Sequence, residues 1–182
     1  TLVNWIIPGT AIGFLWTWIF NGQYGILNAL IEACGGEGQT WLGQTQTALI
    51  CVVIARTWQM LPWYMAFLLG GLQGVSMDQI EAARIDGANN WQVFTHIVAP
   101  AMRGIMTLVL ILGAIGNLQH FDLPWTMVQG GPARATTTLS IEVYKTAFKN
   151  WNMGKAATVG TIWALLLAIF SFVYLRQVNE SD

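Results

Sequence analysis

One apolar run of the sequence carries three side chains that could recognise a hydroxylated solute. Arg56, Gln59 and Trp63 lie three and four positions apart, and Arg56 is the only charged residue of the run 48–71. This spacing puts the three side chains on one face of a helix. Arginine and glutamine supply hydrogen-bond donors, and an aromatic ring can cover the C–H side of a sugar. We therefore interpret this face as a candidate solute-binding surface.

A second polar group occupies a later apolar run, 103–121. Its four candidate residues recur at helical spacing: Gly113, Gly116, Asn117 and His120. Asparagine and neutral histidine can both donate and accept hydrogen bonds, so they can read hydroxyl groups without imposing a charge. The glycines have a competing interpretation, because small residues allow membrane helices to pack closely. We favour packing for the glycines and lining of a solute path for Asn117 and His120.

The composition places these residues in a membrane protein. Of the 182 residues, 54% are apolar and 9% are charged, whereas a soluble domain has about 25% charged residues. The sequence predicts four transmembrane helices, at about 2–20, 48–71, 103–121 and 156–175. An arginine at the centre of such a helix costs about 2.5–3.5 kcal/mol on insertion scales, which makes Arg56 a functional candidate by default. We predict an all-α, polytopic membrane helix bundle, with residues 1–182 as a single domain.

Charge and residue spacing limit the other function classes. The net charge of −1 gives no reason to expect nucleic acid as a partner. Lysine and arginine number four in the loops on one side of the predicted spans and three on the other, so charge alone does not orient the chain. The two cysteines and two histidines lack metal-ligand spacing, and no glycine-rich loop ending in Lys-Ser or Lys-Thr appears. We expect no metal, no cofactor and no catalytic residue in this chain.

A polar segment, residues 76–100, connects the second and third apolar runs. Ser76 is positioned to cap a helix, and Asp78 follows in its first turn. Gly87 predicts a bend between two short helices outside the bilayer, since glycine destabilises a helix interior by about 1 kcal/mol relative to alanine. A connector needs only a few residues. A plain surface connector and a segment that docks into another protein are equally compatible with this pattern.

The polar segment contains an ordered set of residues: Glu81, Ala82, Ala83, Gly87, Ile97 and Pro100. This pattern resembles the EAA loop of ABC importer permeases, with Ala99 where that family usually has leucine. Three further stretches, NGQYGILNAL, FDLPWTMVQGGP and TLSIEVYKTAF, are similar to permeases of the carbohydrate-uptake branch, which contains the maltose importer. The resemblance covers essentially the whole chain.

The resemblance implies a type I ABC importer permease in the plasma (inner) membrane of a bacterium or archaeon. Such permeases usually have more core spans than four, so amino-terminal spans are expected to be missing from this sequence. The EAA loop would face the cytoplasm and couple to an ATPase subunit through Glu81, Ala82, Ala83, Asp86 and Gly87. The implied partners are a second permease, two ATP-binding subunits that hold ATP and Mg²⁺, and an extracytoplasmic solute-binding protein. The chain would be a transporter subunit and not an enzyme, and the solute would bind between the helices that flank the loop.

Two alternatives remain open from the sequence. The resemblance implies import of a sugar or sugar derivative by alternating access; because Arg56 could neutralise an anion, a permease for another solute, such as a phosphorylated polyol or an acidic saccharide, is the first alternative. A different class of protein, a stand-alone channel or an intramembrane enzyme, is the second alternative. An enzyme would need a nucleophile or a metal cluster in the spans, and the sequence offers only the isolated His120 and Asp122.

Overall fold

The computed structural model describes the backbone of residues 3–179 and the side chains of residues 4–172. Within this part, the chain is helical and contains no β-strand. The helices, in chain order, are α1 (Val3–Ile6), α2 (Gly9–Ile19), α3 (Ile26–Ala33), α4 (Thr45–Gln73), α5 (Met77–Ile85), α6 (Asn90–Val93), α7 (Ala99–Ala101), α8 (Arg103–Leu118), α9 (Asp122–Val128), α10 (Leu139–Tyr144) and α11 (Met153–Asn179). A π-helical turn, Phe94–Val98, lies between α6 and α7, and another, Lys145–Lys149, follows α10. The predicted all-α fold class is confirmed.

The later apolar runs correspond to helices. The run 48–71 lies within the 29-residue helix α4, and the run 156–175 lies within α11. The run 103–121 begins with α8, which ends at Leu118. His120 therefore lies just beyond the helix that was predicted to contain it.

The run 2–20 differs from the predicted single helix, and its residue 2 lies outside the described residues. α1 ends at Ile6, and α2 begins at Gly9, directly after Pro8. Proline has no N–H and disfavours helical backbone in the residue before it, which explains the break. α2 has 11 residues, and at 1.5 Å per residue it is about 16 Å long. That is roughly half of the hydrocarbon thickness of a bilayer.

One stretch of the described helices, Met153–Phe172, is by itself long and apolar enough to cross a membrane. The stretches Asn90–Ala101 and Arg103–Leu118 meet this criterion only as a pair, and they are bent by 69° relative to each other. α4 is long enough to cross a membrane, but its mean hydropathy is lower than that of a typical membrane-spanning helix. The predicted topology of four spans therefore remains a prediction.

A buried core joins α2, α4 and α9. Its apolar residues are Ile12, Phe20, Cys51, Ala55, Leu123 and Met127. α2 lies directly against α9 at Gly13, where an added Cβ would come within 2.7 Å of the Cβ of Thr126. Since α9 follows α8 after a short break, this packing fixes the position of the chain that leaves α8.

A second core ties the polar segment 76–100 to the helices on both sides of it. Its buried residues are Val75, Val93, Val98 and Met102, and Ile80 and Ala83 of α5 pack against them. The two flanking helices also touch each other directly. An added Cβ at Gly71 of α4 would lie 3.3 Å from the Cβ of Ile105 in α8. The polar segment is therefore packed as one unit with the adjoining ends of α4 and α8.

Candidate functional site

A hydrogen-bonded network joins the two predicted polar faces. Arg56 of α4 donates from Nε to Oδ1 of Asn117 in α8 at 2.8 Å, and from Nη1 to Oε1 of Gln59 at 2.8 Å. Nδ2 of Asn117 in turn donates to the hydroxyl oxygen of Tyr64 at 3.4 Å. Gln59 is only 5% exposed, so its amide holds the guanidinium from the buried side of α4. Three residues that were predicted from two separate runs thus meet in one network.

A cavity of about 290 Å³ lies beside this network. Three of the residues that were predicted to line a solute path contribute to its wall: Arg56, Asn117 and His120. Its remaining lining combines threonines with apolar side chains: Thr57, Thr136, Thr138, Leu49, Val52, Val53 and Pro124. Hydroxyl groups, an amide, an imidazole and one cation set among apolar side chains suit a polar solute of small size.

The threonines of the cavity were not predicted from the sequence. Thr136 and Thr138 belong to a run of three threonines that follows the turn at Gly130, Gly131 and Pro132. The hydroxyl of Thr136 donates to the carbonyl oxygen of Gly131 at 2.7 Å. The threonine run was the available signal, but only the fold brings this loop against α4.

His120 occupies the end of the cavity where the chain leaves α8. Its Nε2 is buried and has no hydrogen-bond partner among the described residues. Its carbonyl oxygen accepts a hydrogen bond from the hydroxyl of Ser140 at 3.1 Å, which anchors the backbone at this point. A buried polar atom without a partner is uncommon in folded proteins, and Nε2 is enclosed, so only other atoms of the imidazole can face the cavity.

Trp63 does not share the cavity, although it was predicted on the same helical face as Arg56. Its ring packs edge-on against Tyr64, with 5.0 Å between the ring centroids, and lies 4.5 Å from the ring of Phe67. Two helical turns separate Trp63 from Arg56, which is about 10 Å along the axis of α4. A shared face therefore does not place the two side chains at the same depth.

The two candidate glycines of α8 have different surroundings. An added Cβ at Gly113 would lie 2.9 Å from Cε1 of Tyr64 and would also overlap its hydroxyl oxygen. Gly113 therefore allows α8 to approach α4 closely. An added Cβ at Gly116 would meet no atom of the described residues within 4 Å. Gly116 therefore packs against none of the described residues.

The polar segment folds into the predicted pair of short helices with a bend at Gly87. Gly87 has a φ of +88°. Its N–H donates to the carbonyl of Arg84 at 3.1 Å, and the N–H of Ala88 donates to the carbonyl of Ala83 at 2.9 Å. These two bonds form a Schellman motif, which ends a helix through a left-handed residue. Glycine adopts this conformation without a steric cost.

The caps of the two short helices differ from the sequence expectation. Ser76 precedes α5, but its side chain makes no capping hydrogen bond, so the predicted cap at Ser76 is wrong in this detail. Asn89 caps α6 instead. Its Oδ1 accepts from the N–H of Gln92 at 2.9 Å, and Oε1 of Gln92 accepts from the N–H of Asn89 at 2.8 Å. This reciprocal pair is a capping box that fixes the start of α6.

Four of the five predicted coupling residues are exposed, and the fifth is partly buried. The exposed residues are Glu81, Ala82, Asp86 and Gly87. Ala83 is half-buried against the second core. Ile85, an apolar residue that the sequence did not single out, is 87% exposed beside them. The segment thus presents a mixed apolar and acidic surface on a rigid, well-packed base.

Comparison with known proteins gives the family. Residues 1–180 match the family described as "binding-protein-dependent transport system inner membrane component". A probable ABC transporter permease of Brucella suis is 30% identical over 100% of this chain and 63% of its own length. The trehalose/maltose transport system permease MalF of Thermococcus litoralis is 32% identical over 96% of this chain and 59% of its own length.

A solved structure agrees with this match. A crystal structure of a bacterial ABC transporter involved in import of the acidic polysaccharide alginate superposes with a TM-score of 0.87 at 16% identity. The superposition covers 98% of this chain and 63% of the chain in that crystal structure. The predicted fold of an ABC importer permease is confirmed, and the chain spans about three fifths of the length of the relatives it matches. The chain belongs to the family of binding-protein-dependent transport system inner membrane components.

Proposed function

We propose that this chain forms part of a permease subunit that moves a saccharide or saccharide derivative through the plasma membrane of a bacterium or archaeon. Its family membership and its 32% identity to a trehalose/maltose permease support this proposal. The polar cavity beside Arg56 and Asn117 has the mixed lining that a saccharide needs. The chain would pass through the membrane several times, with α4, α8 and α11 among its spans.

The observation that carries the proposal is the packing between the polar segment and the cavity walls. α4 contributes five residues to the cavity lining and α8 contributes Asn117, and residues 76–100 connect these two helices. The second core and the contact of Gly71 with Ile105 hold the segment against both helices. A displacement of the segment would therefore be passed to both walls, because packed helices shift as units.

This linkage provides a mechanism for alternating access. The exposed surface around Glu81 and Ile85 would seat in a cleft of an ATP-binding subunit. Closure of two such subunits around ATP and Mg²⁺ would push the segment and reorient α4 relative to α8. A second permease would complete the solute path, and a solute-binding protein would deliver the solute from outside. This chain would bind no nucleotide and catalyse no bond chemistry.

Purification and reconstitution of the complete importer test this function. We expect the full-length protein to co-purify with a second permease and an ATP-binding subunit. We also expect the complex to take up saccharide into proteoliposomes only when ATP and the solute-binding protein are present. A stand-alone channel would conduct without ATP and would bring down no ATP-binding subunit. ATP-independent flux would therefore refute the proposal.

Asn117→Ala and His120→Ala should weaken saccharide uptake without preventing assembly. Loss of one hydrogen bond costs about 0.5–1.5 kcal/mol, so each variant should lower the apparent affinity by up to roughly tenfold. Asn117→Ala should have the larger effect, since it also removes the acceptor of Arg56 Nε. The exposed Asn150, changed to alanine, serves as the matched control. Unchanged uptake in both variants, with assembly verified by co-purification, would move the solute site out of this cavity.

A further inference from the structure

Arg56 lacks an acidic partner among the described residues. Both of its hydrogen-bond acceptors are neutral amide oxygens, those of Asn117 and Gln59. The one ion pair between described side chains joins Arg134 and Glu142 in a different part of the chain. A cation held inside an apolar region normally pairs with an anion or with several oxygen atoms. The described residues therefore leave the charge of Arg56 without compensation.

The described residues around Arg56 also offer no other source of negative charge. The remaining ionisable group that lines the cavity is His120, which cannot neutralise a cation. Asp122 stands at the start of α9 beside His120 and the backbone of Gly9, outside the cavity lining. No carboxylate oxygen of the described residues lies within 4 Å of a nitrogen of Arg56.

The two amides leave part of the guanidinium free to bind. A guanidinium has five N–H donors in a planar fork, and the bonds to Asn117 and Gln59 use one donor on Nε and one on Nη1. These bonds fix the plane of the group and leave donors on both terminal nitrogens. A planar fork binds a carboxylate, sulfate or phosphate through two parallel hydrogen bonds. Arg56 lines the cavity, so such a group could reach these donors from the solute path.

We infer that the transported saccharide carries an anionic group, which Arg56 binds in the cavity between α4 and α8. This inference rests on the proposed function, since it names the class of saccharide that the importer carries. The amides of Asn117 and Gln59 act as positioning residues that aim the guanidinium. Thr136, Thr138 and the imidazole of His120 line the same cavity and suit the neutral part of the solute.

Competitive uptake by the complete importer in proteoliposomes tests the inference. The probes are three neutral disaccharides (maltose, trehalose and cellobiose) and their derivatives with one carboxylate, one sulfate or one phosphate. We expect at least one anionic derivative to be taken up in preference to its neutral parent. Arg56→Gln should lower the uptake of that derivative about tenfold or more, because a hydrogen bond to a charged group is lost. The same variant should leave the uptake of the neutral parent within about twofold.

Two further variants separate charge recognition from structural support. Arg56→Lys keeps the charge but loses the fork, so it should retain a larger share of anion uptake than Arg56→Gln. Arg103→Gln, at an exposed arginine on the first turn of α8, is the matched control and should leave the preference unchanged. Should Arg56→Gln fail to assemble, the preference of the wild-type importer and the Arg56→Lys variant still decide the question.

The outcomes distinguish this inference from the proposed function. Uptake of neutral disaccharides alone would support saccharide import and overturn the anionic class. Equal losses of charged and neutral uptake in Arg56→Gln would give Arg56 a structural role and would also overturn the inference. Uptake of no probe at all would contradict saccharide transport itself, and with it the anionic class.

Discussion

Gly87→Pro is expected to abolish ATP-driven uptake while the external solute-binding protein still binds its solute. Gly87 has a φ of +88°, whereas proline fixes φ near −65°. Proline also removes the N–H that donates to the carbonyl of Arg84. The Schellman motif that joins α5 to α6 would be lost, at a cost of about 3 kcal/mol or more. The exposed surface around Glu81 and Ile85 would then lose its present orientation relative to α4 and α8.

The measurement for Gly87→Pro is uptake in proteoliposomes together with solute-stimulated ATP hydrolysis. We expect both to fall by roughly 100-fold, as a cost of about 3 kcal/mol implies when it opposes the docked state. Gly87→Asn should keep a substantial share of both, because asparagine tolerates the left-handed conformation better than other side chains.

Gly74→Ala is the matched control for the Gly87 series. Gly74 has a right-handed φ of −81°, and an added Cβ there would make an ordinary contact of 3.4 Å with the carbonyl oxygen of Gly71. Uptake by this variant should be near normal. Normal uptake by Gly87→Pro would contradict the assignment of Gly87 to coupling.

Gly113→Leu is expected to destabilise the pairing of α4 with α8 and to reduce the yield of assembled importer. A Cβ at this position would overlap the ring and the hydroxyl of Tyr64. Overpacking of this kind typically costs about 1–3 kcal/mol, because neighbouring side chains and backbone must shift. Displacement of Tyr64 would also disturb the bonds between Tyr64, Asn117 and Arg56. We expect the yield of intact complex to fall more than tenfold, or its thermal midpoint to fall by several degrees.

Gly116→Leu is the comparison that isolates the contact with Tyr64. It introduces the same side chain one turn along α8, where an added Cβ meets no described atom within 4 Å. Co-purification of the importer and its thermal midpoint should be close to those of the wild type. Equal loss of assembly in both variants would show that close packing against Tyr64 is not the reason for glycine at position 113.

Several features of this chain are local in origin, and the sequence predicted them. The scarcity of charged residues and the long, unbroken apolar runs predict an all-α membrane protein, because about 20 continuous apolar residues match a helix that crosses a bilayer. The bend at Gly87 follows from the conformational freedom of one residue, and the structure confirms it. The ordered residues from Glu81 to Pro100 identified the family, and the family match confirms that resemblance.

Other features depend on which helix lies next to which, and sequence spacing does not contain that information. Helical periodicity put Arg56, Gln59 and Trp63 on one face, but the cavity lies at the level of Arg56 and not at that of Trp63. The break between α1 and α2 is different, because it is local: Pro8 was a visible signal in the sequence, and the prediction of one helix over 2–20 did not use it.

The sequence by itself thus predicted the fold class, the bend in the polar segment and the polar residues Arg56, Gln59 and Asn117 that form the network. Each of these predictions follows from residues within a few turns of one another. The tertiary structure alone decided that Asn117 is the acceptor for Arg56, 61 positions away. It also brought the threonine loop to the cavity and placed Tyr64 against Gly113. These contacts join distant segments, and they form only because the packing of α9 on α2 and of α8 on α4 fixes the distances between them.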